Sequence, residues 1–389
     1  MKFTRIFRQR FKKNAAAGCL CLTLAFSALT NLSVFAGPAD DTSLSTPAPG
    51  PGQSGPGAEA PAVVDNSYYN QTIANPIVNP VDKYSYEQME QDIQALAAHY
   101  PGRVTIQSIG QSLDGRNIYD IIIGNPAAQK KILFQGGIHA REYIVAPLMM
   151  QQLEYMLAFQ DSGTYQNQSL SSLMNHVAIH FVPMANPDGV ALSQFGEGAI
   201  RSEELRQGIQ AAYALDVAEA RTALPYDQYL TRWKSNARGV DLNHNFDADW
   251  NSLNPTLAHY SFTDFKGTAP LSEPESQALA NLVQQNAFSA VINYHAMGRV
   301  LYWDTEGNQK ALESYDMALA ASGVTGYQIM AAKGVGGFKD WLQRCTAPVA
   351  GITIEVGRST CPVAFTEYQS IWDQNKQIPA LFCQYILTH

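Results

Sequence analysis

The sequence predicts an α/β domain with helices over both faces of a central sheet, and three observations carry that prediction. Short β-rich runs recur along the chain, and helical stretches lie between several of them. Two runs, Ile118–Ile123 and Ile132–Phe134, show no polar alternation, as suits strands buried on both sides. The first element is a helix over Ser85 to Tyr100, with Met89, Ile93, Leu96 and Ala97 on one face. Ser85 can cap it by accepting from an early helix amide, and Glu87 and Glu90 suit the positive helix end. Strands are then expected at Val104–Ile109, Ile118–Ile123, Lys131–Gln135, Val177–Pro183, Ala290–Tyr294 and Gly351–Val356, with helices at Ala146–Phe159 and Pro274–Asn286.

The 389 residues are 46% hydrophobic and 15% charged, enough apolar material for one large core over residues 67–389. Two segments precede it. Residues 1–36 carry Lys2, Arg5, Arg8, Arg10, Lys12 and Lys13, then an apolar stretch ending in Val34-Phe35-Ala36, the pattern of a secretory signal peptide. Asn31 and Ser33 favour cleavage over a retained membrane anchor. Residues 37–66 are rich in Pro, Gly, Ala and Ser and read as a flexible linker. Cleavage after Ala36 moves the formal charge from -8 to -14, which leaves no electrostatic pull toward nucleic acid or an anionic membrane. The expected product is a secreted, extracellular monomer, with association with the cell wall left open. Of its cysteines, Cys345 and Cys361 are the nearest pair for a disulfide, while Cys383 lies in an apolar stretch and reads as a buried free thiol.

The chemistry gathers where apolar strands end. Gly136-Gly-Ile-His-Ala-Arg-Glu-Tyr143 places His139 and Glu142 just beyond a buried strand, the position where open α/β sheets hold their sites. His295 follows a second such strand, and Glu355 closes a third. A glutamate ending an apolar strand is costly unless it is paired or functional. An imidazole, a carboxylate and a second imidazole make a three-ligand zinc site with one position left for water.

The order His139-Ala-Arg-Glu142, Asn186-Pro-Asp-Gly189, Gly239-Val-Asp-Leu-Asn243, Ser272-Glu-Pro-Glu275, His295 and Glu355 closely resembles the zinc metallocarboxypeptidase family. The resemblance runs from about residue 80 to the C-terminus. It implies a mixed eight-stranded sheet between helices, one Zn2+ per chain on His139, Glu142 and His295, and Glu355 as the base that deprotonates the zinc water. Asp241 matches the carboxylate that orients the first histidine ligand. Lys234 stands where the family has an arginine that stabilises the oxyanion; Arg141 and Arg238 compete for that task. A lysine supplies a point charge without a bidentate fork.

Three departures bear on the substrate. Asn243-His244 stands where the family grips a terminal carboxylate with Asn-Arg, so capture of a plain C-terminus weakens. The family's tyrosine before the specificity loop is Ala332 here, unless Tyr327 takes its place. Lys339 stands where the family reads the side chain beyond the scissile bond and would pair with an acidic group. Together with Gly337-Phe-Lys-Asp-Trp341, these features resemble the bacterial branch that cuts cell-wall peptides between γ-D-glutamate and a diamino acid, commonly meso-diaminopimelate. The expected substrate is therefore a peptidoglycan stem peptide. The alternatives are a secreted carboxypeptidase trimming protein-derived peptides and an inactive domain that binds wall peptides.

Overall fold

The computed structural model describes residues 65–253, 257–331 and 336–389. The leader, nearly all of the linker and Ala332 lie outside them. Strands in chain order are β1 (Val104–Gln111), β2 (Asn117–Gly124), β3 (Lys130–Gln135), β4 (Thr164–Tyr165), β5 (Gln168–Ser169), β6 (Val177–Val182), β7 (Ala290–Ala296), β8 (Val300–Tyr302), β9 (Gln328–Met330) and β10 (Gly351–Val356). The helices are α1 (Tyr86–His99), α2 (Val145–Ala158), α3 (Leu170–His176), α4 (Pro187–Phe195), α5 (Glu203–Ala218), α6 (Tyr226–Thr231), α7 (Pro274–Gln285), α8 (Ala311–Thr325), α9 (Phe338–Leu342), α10 (Tyr368–Asn375) and α11 (Ile378–Thr388).

One mixed eight-stranded sheet runs β1-β2-β6-β3-β7-β10-β8-β9, and β4 and β5 form a separate hairpin. Its centre, β6-β3-β7-β10, is parallel, as expected of strands covered on both faces. Alternation along β3 shows the two faces: Ile132 and Phe134 enter the larger core with α2, α8 and α11, while Leu133 enters a second core with α7 and α9. All six strands and three helices expected from the sequence are present. Ser85 caps α1 by accepting from the Gln88 amide at 3.0 Å, a contact worth about 1 kcal/mol. A third, smaller core gathers Leu192, Ile209, Tyr229, Leu230 and Trp233 around Ala140. This packing seats the loop that carries His139.

Cys345 and Cys361, the nearest pair in sequence for a disulfide, do not bridge, and both thiols are free. Cys345 follows α9 and packs on the second core, where its thiol faces the Ala347 carbonyl. The Cys361 thiol faces the Arg141 carbonyl, beside the zinc-ligand loop. Nearness in sequence therefore did not bring them together. Cys383 is buried and free, as expected.

The Ser272-Glu-Pro-Glu275 segment ties the fold to the site. Asn236 donates to Glu273 at 2.8 Å and to Glu275 at 3.3 Å. Burial, with the like charges of Asp188 and Glu273, pushes Glu275 up to about 8. The raised value means that the folded chain keeps a proton that the unfolded chain loses near pH 4.5, so this group's contribution to stability falls as pH rises toward 8. Glu275→Gln is expected to match the wild-type Tm near pH 5 and to exceed it by a few degrees near pH 8.5. A Tm difference that does not change with pH would contradict this.

Candidate active site

The site forms where β3, β7 and β10 end side by side. After β3 the chain turns through Gly137, whose φ of 64° is left-handed and where a Cβ would lie 3.0 Å from the Pro183 carbonyl. The turn delivers His139 and a single 3-10 turn, Ala140–Glu142. β7 and β10 are parallel neighbours, and their register sets Glu355 opposite His295. The three strand ends picked out from the sequence thus meet in space.

The donor atoms converge. His139 Nδ1 lies 2.8 Å from Glu142 Oε1, and His295 Nδ1 lies 3.0 Å from Glu142 Oε2. The two Nδ1 atoms face each other at 3.1 Å. The Ala296 amide also donates to Glu142 Oε2, which fixes the carboxylate. Burial raises the Glu142 pKa, but the two imidazoles outweigh it and hold the carboxyl well below its ordinary range. Zinc bonds of about 2.0–2.1 Å set tetrahedral ligand atoms roughly 3.3 Å apart, so this spacing fits one ion. Two ring nitrogens turned toward each other and a carboxylate are also the donor chemistry of an open zinc site.

Asp241 sits behind the donors as a shared counter-ion. Its carboxylate lies 3.4 Å from His139 Nε2, 3.0 Å from Lys234 Nζ and 3.4 Å from His244 Nδ1. Burial raises its pKa, yet Lys234, His244 and His139 pull it well below the ordinary value. Burial lowers the Lys234 pKa, but Asp241 and Glu142 reverse this and keep the amine charged. Asp241, His244 and Asp264 also cluster as possible metal donors, but there Lys234 already supplies the cation.

Among the described residues, the Glu355 carboxylate carries no hydrogen bond or ion pair. Burial pushes it up to about 7, with Glu142 adding to the rise and His295 and Lys234 opposing it. A carboxyl tuned near neutrality beside a zinc site is suited to moving a proton.

A family model described as zinc carboxypeptidase matches residues 89–360. This chain belongs to the zinc carboxypeptidase family. It is 35% identical over 304 residues to gamma-D-glutamyl-L-diamino acid endopeptidase 1 of Lysinibacillus sphaericus, covering 77% of this chain and 72% of that one. It is 27% identical over 206 residues to human mast cell carboxypeptidase A, covering 52% of this chain and 42% of that one. The crystal structure of carboxypeptidase A from Helicoverpa armigera shares the fold, with a TM-score of 0.58 at 19% identity over 82% of this chain and 78% of that one. The protein is therefore a zinc metallopeptidase with peptide substrates.

The remaining candidates from the sequence separate. The Arg141 guanidinium donates to the Arg232 carbonyl at 3.3 Å. Arg238 turns to Glu273 at 3.4 Å, while Lys234, the third candidate for the oxyanion cation, pairs with Asp241 behind the donors. The Asn243 carbonyl oxygen accepts from the Phe338 amide at 3.0 Å and so ties α9 to the loop that carries Asp241. His244 is half-buried and faces Asp241. Lys339 is buried, not solvated: its ammonium donates to the Asp304 carbonyl at 2.7 Å and to Asp340 at 2.6 Å. Tyr327 cannot stand in for the family's tyrosine, because it is 1% exposed and its hydroxyl is bound to Gln374 on α10. Asp264 and Asn186 are part of the site's frame and were not picked out as site residues. Their signal is weak in sequence, because each acts through backbone groups: Asp264 through its own amide, and Asn186 through an amide side chain donating to carbonyls.

Proposed function

We propose that this zinc carboxypeptidase is exported and hydrolyses the γ-D-glutamyl–diamino acid bond of cell-wall stem peptides. Its 35% identity to a relative named for that bond, over 72% of the relative's length, carries the reading. The imidazole of His244, standing where the family has a fixed guanidinium, supports it. Among the described residues no helix is long and apolar enough to cross a membrane.

The residues divide the work as follows. His139, Glu142 and His295 would hold the zinc, which would supply Lewis acidity, lowering the pKa of a bound water toward about 7 and polarising the scissile carbonyl. Glu355 accepts the proton of the attacking water and returns it to the leaving nitrogen. Lys234 offsets charge developing on the carbonyl oxygen, and Asp241 holds both Lys234 and His139 in place. Lys339 is the candidate to meet the second carboxylate of the diamino acid, although its ammonium is already bound to Asp340 and to the Asp304 carbonyl.

Two substitutions probe these roles. Lys234→Met is expected to lower kcat by about 10²- to 10³-fold with zinc retained, and Lys234→Arg to lose much less. Equal losses in the two variants would remove Lys234 from this role. Lys339→Met is expected to lower kcat/KM for a diaminopimelate peptide relative to its L-lysine analogue by roughly 10-fold or more. An unchanged ratio would exclude Lys339 from reading the diamino acid.

The reading is tested by incubating the zinc-loaded protein with L-Ala-γ-D-Glu-meso-diaminopimelate and with a standard peptide, C-terminally blocked and unblocked. Cleavage of the wall peptide alone is expected. Cleavage of only the unblocked standard peptide would make the protein a secreted carboxypeptidase. Binding of the wall peptide without cleavage would make it a binding domain.

A further inference from the structure

The motif Asn186-Pro-Asp-Gly189 takes no part in the chemistry described so far, yet it lies against the loop that carries His139. Asn186 caps α4: its carbonyl oxygen accepts from the Gly189 amide at 3.0 Å. Its amide nitrogen donates to the Ile138 carbonyl at 3.1 Å and to the Ser235 carbonyl at 3.0 Å. Ile138 precedes the ligand His139, and Ser235 follows Lys234. On the other side of His139, the Ala140 amide donates to the Lys234 carbonyl at 3.0 Å. His139 is thus held between two cross-links to one segment, and one of them runs through a side chain.

The rest of the motif serves this contact. The Asn186 and Ala185 amides donate to the Gly137 and Gly136 carbonyls, each at 3.0 Å. Pro187 opens the helix with its φ already set. Asp188 accepts from the Asp114 amide at 2.7 Å and pairs with Arg116 at 2.8 Å, which anchors the first turn. A Cβ on Gly189 would lie 2.5–2.6 Å from both ends of the Asn186 amide and 2.6 Å from the Ser235 carbonyl, so only glycine fits. Asn186 is fully buried, with both amide atoms bonded.

We infer that Asn186 is a positioning residue for zinc binding: it fixes the backbone on either side of His139 and so aims the ring nitrogen at the metal. Losing its two donated bonds frees the loop without touching any ligand atom. Whether Lys234 is held for catalysis rests on the role proposed above; the effect on zinc does not.

The test is Asn186→Ser, which keeps an oxygen for the Gly189 amide and removes the amide nitrogen that bridges the Ile138 and Ser235 carbonyls, leaving at most one hydroxyl donor. Gly189→Ala is the second variant, since it displaces the Asn186 amide sterically and places a good helix former in α4. Ser202→Ala, which removes the α5 cap, serves as a control that changes stability alone. Zinc affinity is measured by competition with a chelator, and ligand geometry from the visible spectrum of the Co2+-substituted protein. Asn186→Ser and Gly189→Ala are expected to bind zinc about 10- to 100-fold more weakly and to alter the cobalt bands, with Ser202→Ala unchanged in both. Wild-type affinity and spectrum in either folded variant, or the same losses in Ser202→Ala, would overturn the inference.

Discussion

Glu355→Gln is expected to lower kcat by about 10²- to 10⁴-fold, toward the upper end of that range, while zinc content stays at the wild-type level. The substitution keeps shape and removes only the ability to take a proton. Glu355 sits opposite His295 in the sheet but is not among the converging donor atoms, so its loss leaves the metal's ligands intact. The effect should be large because one group serves twice, first on the water and then on the leaving nitrogen. Burial raises its pKa from the ordinary carboxylate range, which suits a group that takes a proton from water and later gives it up. Zinc analysis and steady-state kinetics on the same preparation check this outcome. A variant that loses zinc along with activity would instead make Glu355 part of the metal site.

His295→Ala should give the opposite signature. Zinc affinity is expected to fall by more than the roughly 10- to 100-fold that losing an outer partner costs, and activity to fall with it. Of three donors, His139 and Glu142 remain, and Glu142 loses one of the two imidazoles that keep it ionised. Its Oε2 is left with the Ala296 amide alone. Dialysis against a weak chelator followed by metal analysis should find zinc in the wild type and little in the variant. Zinc held at full stoichiometry would contradict the assignment of His295.

How much of this was legible in the sequence depended on the length and burial of each element. The long strands β2, β3, β7 and β10 announce themselves because their residues are apolar on both sides. β8 and β9 have three residues each, too few to carry a period, and pairing at the sheet edge decides them. The metal donors were legible because a histidine or glutamate is conspicuous at the end of an apolar strand. Lys339 was expected to pair with an acidic group of the substrate, and only the fold shows that Asp340 and the Asp304 carbonyl already hold its ammonium. Arg238 was a candidate by nearness to the Gly-Val-Asp motif, but the Gly239 turn sends it to Glu273. Cys345 and Cys361 are the nearest cysteines in sequence, but the fold packs the first on the second core and sets the second against the Arg141 carbonyl.

The central claim is that a single zinc on His139, Glu142 and His295 works through Glu355. Titrating chelator-treated protein with Zn2+ tests it most directly, with bound metal and peptide cleavage followed together. Cleavage is predicted to rise in proportion to bound zinc and to level off at one equivalent, with Glu355→Gln binding the same equivalent and gaining almost no activity. Full cleavage by the zinc-free protein, or by Glu355→Gln, would contradict it.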